Sequence, residues 1–217
     1  MAKALLGLIP VLSGTIQLGG VDVTKAPPKR TIDAGVGYIP EDRQADGLVG
    51  SFSVAENLVL DQVAKFSRPG WLDLPKIRAN AEALVQEFDI RTSSVDLLAS
   101  SLSGGNQQKV VLARELSRPL KVLVASQPTR GVDVGAVEFL HNRIVAERDR
   151  GTAVLIVSTE LDEVETLSDR TAVMYRGKLV GVVDSDTPRD VLGLMMAGVP
   201  HDQAMASVAG RRQEELR

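Results

Sequence analysis

Hydrophobic and polar positions change rhythm along this chain, and each change predicts a different kind of element. An apolar stretch over residues 1–8 reads as a short helix that ends ahead of Pro10. Residues 14–18 and 21–23 flank Gly19-Gly20, which predicts an antiparallel hairpin turning on two glycines. Residues 36–39 predict a strand, closed by Pro40 and the polar run Glu41-Asp42-Arg43-Gln44. The period then lengthens. Ser53 is placed to cap a helix over 54–66, and Pro75 stands where a second helix, reaching residue 88, would begin.

From residue 102 the pattern becomes a βα alternation, with helices over 106–117, 134–148 and 160–167 and apolar strands over 121–125 and 153–157. Buried apolar strands separated by amphipathic helices predict a parallel sheet covered on both faces. Residues 172–175 and 178–183 around Arg176-Gly177 predict a closing strand pair, and Thr187-Pro188 opens a last helix to about residue 197. The expected organisation is an α/β domain over 1–198 with a helical subdomain at about 53–105. Residues 199–217 are expected to form a polar C-terminal tail, frayed from Gly210 onward.

Composition narrows the functional classes. At 217 residues and 44% hydrophobic the chain can bury one sizeable core. Its 25 Lys and Arg against 28 Asp and Glu leave a net charge of -3, which argues against nucleic acid as the main partner. Aromatic residues make up 3%, too few for base-stacking platforms. Without cysteine there is neither a disulfide framework nor a thiolate nucleophile. No apolar run approaches the ~18 residues of a membrane-spanning helix, so a membrane role would be peripheral.

Three segments carry candidate chemistry. Leu102-Ser103-Gly104-Gly105-Asn106-Gln107-Gln108 runs straight into a helix. A hydroxyl and unhindered amides at the positive end of a helix suit a phosphate, and they equally suit an ordinary N-cap with flexible glycines. The strand over 122–125 ends in Ser126-Gln127-Pro128-Thr129-Arg130-Gly131-Val132-Asp133, at a strand carboxyl end where such sheets place ligands; Asp133 is also placed to cap the next helix. The third, Val157-Ser158-Thr159-Glu160, carries the same ambiguity. His141, inside a helix, and His201, in the tail, read as structural or surface residues.

Taken together in this order, these segments resemble the nucleotide-binding domain of ABC transporter ATPases. Residues 102–108 resemble the family's signature motif, 122–127 its Walker B strand, and 131–133 its D-loop. Tyr38-Ile39-Pro40-Glu41-Asp42-Arg43 resembles the Q-loop region in the second ATPase half of nucleoside and simple-sugar importers; Leu194-Met195-Met196-Ala197-Gly198 points the same way. The resemblance implies a P-loop NTPase-like fold, ATP and Mg²⁺ as cofactors, and a head-to-tail partner ATPase half. It also implies membrane permease subunits and a peripheral place on the cytoplasmic face of the plasma membrane. On this basis Ser103, Gly104, Gly105, Asn106, Gln107, Glu41 and Asp133 are the candidate nucleotide-binding residues.

Four departures qualify the resemblance. The P-loop pattern G-x-x-x-x-G-K-[ST] does not occur, and by the resemblance residues 1–8 stand at the end of the helix that follows that loop, so the chain is expected to be N-terminally truncated. Ser126 stands at the Mg²⁺-organising position and Gln127 at the general-base position, where the family usually has carboxylates. An amide cannot act as a general base. Thr159 occupies the switch position, and Glu41 the place of the Q-loop Gln, leaving Ser126 and Glu41 as the candidate metal positions. The expectation is a domain inactive alone that completes a partner's ATP site; a non-catalytic scaffold of the same fold is the alternative.

Overall fold

The computed structural model describes residues 1–215. They fall into two compact units, Met1–Val157 and a second that begins at Ser158. In the first, α1 (Ala2–Leu5) precedes the hairpin of β1 (Gln17–Leu18) and β2 (Val21–Asp22), which turns on Gly19 and Gly20 at φ 53° and 82°. A helix that the apolar pattern does not signal, α2 (Pro28–Asp33), leads into β3 (Val36–Ile39). A π-helical turn at Arg43–Gly47 follows, capped by the Asp42 carboxylate, which accepts from the amides of Gln44 and Ala45.

The helix expected over 54–66 is interrupted. Only α3 (Val54–Asn57) forms, and the chain coils again as a 3₁₀ turn at Val63–Phe66. Its last residue, Asn57, is fully buried; its amide donates to the carbonyls of Val49, Phe52 and Ser53 and accepts from the Val49 N–H. That polar knot ties α3 to the loop before it. After the short pair β4 (Ser67–Arg68) and β5 (Trp71–Leu72) come α4 (Leu74–Glu87), a 3₁₀ turn at Ala99–Ser101, and α5 (Gly104–Leu116). The unit closes with β6 (Val122–Ser126), α6 (Val134–Asp149) and β7 (Ala153–Val157).

The core sheet is parallel, in the order β3-β6-β7, with Val36 opposite Val122 and Ser126 opposite Val157. Side chains alternate between its faces. Val36 and Val124 pack on Ala2 and Leu6, whereas Ile39, Leu123 and Ala125 face the main core with Val111 and Leu112 of α5 and Leu140 and Ile144 of α6. Leu58, Ala81, Leu84 and Phe88 join that same core, so residues 53–105 have no separate one. Strand β7 departs from the expectation of a buried strand: it is the sheet edge among the described residues, and Val154 to Val157 are half-buried.

Charges hold the C-terminal end of α5. Arg118 donates to Asp61 at 2.8 Å, to Glu115 at 3.2 Å and to the carbonyl of Val36. Glu115 accepts from the Tyr38 N–H, and Arg114 donates to the Gly47 carbonyl. The side chains of this network are about a tenth exposed or less, so each charge depends on its partners.

In the second unit, α7 (Leu161–Leu167), the antiparallel pair β8 (Arg170–Tyr175) and β9 (Lys178–Asp184), and α8 (Arg189–Met196) follow the expected order. Of the tail expected over 199–217, residues 216 and 217 lie outside the described residues, and the rest does not appear as a tail. α9 (His201–Glu215) is a helix that passes through Gly210 and buries Ala204 and Val208 against Val173, Val183, Val191, Leu192 and Met195. Its two apolar anchors lie four residues apart, on one helical face. No described helix is long and apolar enough to cross a membrane.

Two outcomes follow from these contacts. Arg118→Met leaves the buried Asp61 carboxylate without its cation, while Glu115 keeps Arg114 and the Tyr38 N–H, and is expected to cost about 3 kcal/mol in denaturant unfolding. The capping box at α3 is pH-dependent, because the backbone N–H and hydroxyl of Ser53 hold the Glu56 carboxyl below its ordinary range. A lowered carboxyl contributes fully above its unfolded pKa and loses that contribution as pH falls through the folded value. Thermal melts should therefore show a shallower loss of stability below the ordinary glutamate pKa for Glu56→Gln than for the parent chain.

Candidate functional site

The start of α5 resolves part of the ambiguity left by the sequence. Ser103 occupies the N-cap position in extended backbone, yet its side chain makes no cap hydrogen bond. Its Oγ accepts from Asn106 Nδ2 at 2.9 Å, while Asn106 Oδ1 accepts from the Arg91 N–H at 2.8 Å. The first-turn amides of a 13-residue helix therefore carry no side-chain cap, and Ser103 is exposed beside them. This is the positive end of the helix dipole. A cavity of about 480 Å³ opens here, lined by Ser103, Gly105, Asn106, Lys109, Asp133 and Phe139 among others.

Both glycines are dictated by neighbours. A Cβ at Gly104 would lie 2.5 Å from Arg43 Nη2 and 3.1 Å from the Gly131 carbonyl; one at Gly105 would lie 2.7 Å from Asp133 Oδ2. Asp133 meanwhile caps α6, its Oδ1 accepting from Ala136 N–H at 3.0 Å. Cap and site neighbour are thus the same residue. Gln107 must be corrected. It is buried, donates to the Ala99 carbonyl and accepts from Gln44 Nε2, so its amide braces α5 from within rather than facing a ligand. Gln108 is likewise buried, donating to the Pro128 carbonyl. The Lys109 ammonium is also spent internally, on the carbonyl and carboxylate of Asp89 at 2.7 Å each and over the Phe139 ring at 4.5 Å. That hydrogen bond holds the Asp89 carboxyl below its usual range.

At the end of β6, Ser126 is buried, and Gln127 takes a left-handed backbone at φ 49° while its N–H donates to the Val157 carbonyl at 2.7 Å. Glu41 does not stand as a free ligand: its exposed carboxylate pairs with Arg130. Among the described residues no three His, Cys, Asp or Glu side chains gather to hold a metal. Ser126 and Glu41 therefore do not form a Mg²⁺ set, and no step through Mg²⁺ is assigned to them. Thr159 is exposed just ahead of α7, in the second unit. His201, in the same unit, lies 3.4 Å from Asp202, and His141 lies within α6.

Pattern reasoning missed Arg43. Its guanidinium donates from Nη1 to the Arg130 carbonyl at 2.8 Å and from Nη2 to the Gly131 carbonyl at 3.2 Å. The polar run after Pro40 was the signal available, but it reads equally well as a solvated turn.

Comparison with known proteins agrees with this geometry. The family model described as ABC transporter matches residues 1–130. This chain belongs to the ABC transporter family of ATP-binding domains. Nucleoside import ATP-binding protein NupA of Lactococcus lactis subsp. cremoris is 46% identical over 91% of this chain and 40% of its own length. Glucose import ATP-binding protein TsgD13 of Haloferax volcanii is 43% identical over 91% of this chain and 37% of its own. This ABC domain thus spans about 40% of the length of the curated relatives it matches. In fold it is similar to the ATP-binding cassette MJ0796, solved as a dimer bound to ADP and Pi, with a TM-score of 0.71 at 16% identity, covering 86% of this chain and 79% of that one.

By the resemblance Gln127 stands at a general-base position, and a base acts only on a correctly held reactant, whereas the phosphate-loop pattern does not occur in this sequence. Gln127→Glu is therefore expected to leave the isolated ABC domain without ATP hydrolysis above background, measured as phosphate release.

Proposed function

We infer that this ABC domain is the nucleotide-site-completing part of an importer ATPase for nucleosides or simple sugars. In this reading Ser103, the first-turn amides around Gly104 and Gly105, and the Asp133 loop close over ATP held by a partner ATPase half. The partner supplies the phosphate cradle, the Mg²⁺ ligands and the general base, so the reaction's metal and attacking water belong to its residues. Permease subunits at the cytoplasmic face of the plasma membrane are the remaining partners. The names of the nucleoside and glucose import relatives support the solute classes.

One observation carries the reading: the start of α5 is uncapped, with an exposed hydroxyl oriented by Asn106. A helix needing only stability would use that hydroxyl on its own amides, a bond whose loss typically costs ~1 kcal/mol. Here the amides and the dipole remain available for an anion. The side chains nearest the cavity fit the same role. Lys109 is neutralised by Asp89, so the anion-attracting groups are the backbone amides, the Ser103 hydroxyl and Arg91, which also lines the cavity.

Gly104→Asp does not separate function from packing, because the new Cβ meets Arg43. Ser103→Asp does. Aspartate is as good an N-cap as serine, so the helix keeps or gains stability. The same carboxylate would repel the terminal phosphate and remove a donor, which typically costs roughly a hundredfold in rate. In a complex with a partner half carrying an intact P-loop, Ser103→Asp is expected to lower the steady-state ATPase rate about a hundredfold with an unchanged or higher melting temperature. Equal rates in an assembled complex would remove the reading.

A further inference from the structure

We propose that Arg43 is a positioning residue that locks the loop after β6 and the start of α5 to the segment after β3, so that the groups facing the partner's nucleotide move as one rigid piece. The inference rests on the reading above for what that piece does, and on independent geometry for the lock itself.

Three consecutive connections leave the short segment after β3. Glu41 pairs with the Arg130 side chain, Arg43 reaches the carbonyls of Arg130 and Gly131, and Gln44 donates to Gln107 of α5 at 3.3 Å. The ion pair is exposed on both sides, and such pairs contribute little. The Arg43 bonds are of another kind. A planar guanidinium places two N–H groups on two successive carbonyls, which fixes both position and orientation. Its Nε is buried without a hydrogen-bond partner, so that atom has been desolvated to hold the fork in position.

The residue it grips is a turn, with Gly131 at φ 65°. Two residues further on, Asp133 lies against Gly105, and Arg43 Nη2 lies where a Gly104 side chain would begin. Arg43 therefore touches the loop and the helix start together. A side chain at Gly104 would have to push Arg43 off, and loss of Arg43 leaves two carbonyls without that donor. Displacing a reacting group by about 1 Å can cost a hundredfold in rate, which is why such a lock matters for chemistry at the neighbouring site.

The lock is tested first on the full chain by amide hydrogen exchange, comparing the parent with Arg43→Met and Arg43→Lys. Lysine keeps the charge but presents a point donor, which cannot fork across two carbonyls. In both variants exchange at Arg130, Val132, Ala136 and Gln107 should rise at least about tenfold, with Val111 and Leu123 unchanged. A lysine variant indistinguishable from the parent, or a uniform rise that includes Leu123, overturns the proposal. Should Arg43→Met fail to fold, Arg43→Lys alone decides.

The second test uses the complex with a partner ATPase half. Arg43→Lys should lower kcat about tenfold or more with the KM for ATP within twofold, since the partner's cradle holds the nucleotide. Unchanged kcat, in a complex where Ser103→Asp does slow turnover, overturns the positioning role. Where Ser103→Asp has no effect either, the partner-site reading is what fails, and the lock is judged on exchange alone.

Discussion

The buried charges at the C-terminal end of α5 and the crowded glycines at its N-terminal end set the geometry of the first unit. Arg118, Glu115 and Asp61 pair in a space that excludes most water, and through the carbonyl of Val36 and the N–H of Tyr38 they tie α5 to β3. Burying charge is costly unless the partners stay in place. The helix therefore has little freedom to slide along its axis relative to the sheet. Its other end then presents Ser103 and the first-turn amides from a fixed place.

Between these two ends α5 is apolar where it meets the core and polar where it braces its neighbours. Val110, Val111, Leu112 and Ala113 are fully buried, while Gln107, Gln108 and Lys109 spend their side chains on Ala99, Pro128 and Asp89. A run that reads as a line of ligands is largely a line of struts. What remains at the cavity is backbone amide, one hydroxyl, Arg91 and the adjoining Asp133 loop. In the proposed reading such a surface recognises an anion by dipole and shape, and among the described residues no acidic cluster gathers to hold a cation.

The sequence alone determined most of the order of elements, α2 and the β4–β5 pair excepted, because alternation and helical period are local properties. Strands 36–39 and 153–157 form at the residues their apolar runs indicate, α6 starts behind its Asp133 cap, and α4 starts one residue ahead of Pro75 behind an Asp73 cap. The family was legible by another route, the resemblance carried by the segments 102–108, 122–127 and 131–133. Tertiary structure decided the rest. The helix expected over 54–66 stops at Asn57, whose amide is drawn into a buried knot with the carbonyls of Val49, Phe52 and Ser53, a fold of the preceding loop that no helical period signals. The residues after Gly198, polar on average, become helix because Ala204 and Val208 find the second unit's core. Whether Ser103 caps its helix, whether Gln107 faces in or out, and what Arg43 grips depend on partners 3 to 88 positions away along the chain. Hydrogen-bond geometry at that range is set by packing, which no periodicity in the sequence encodes.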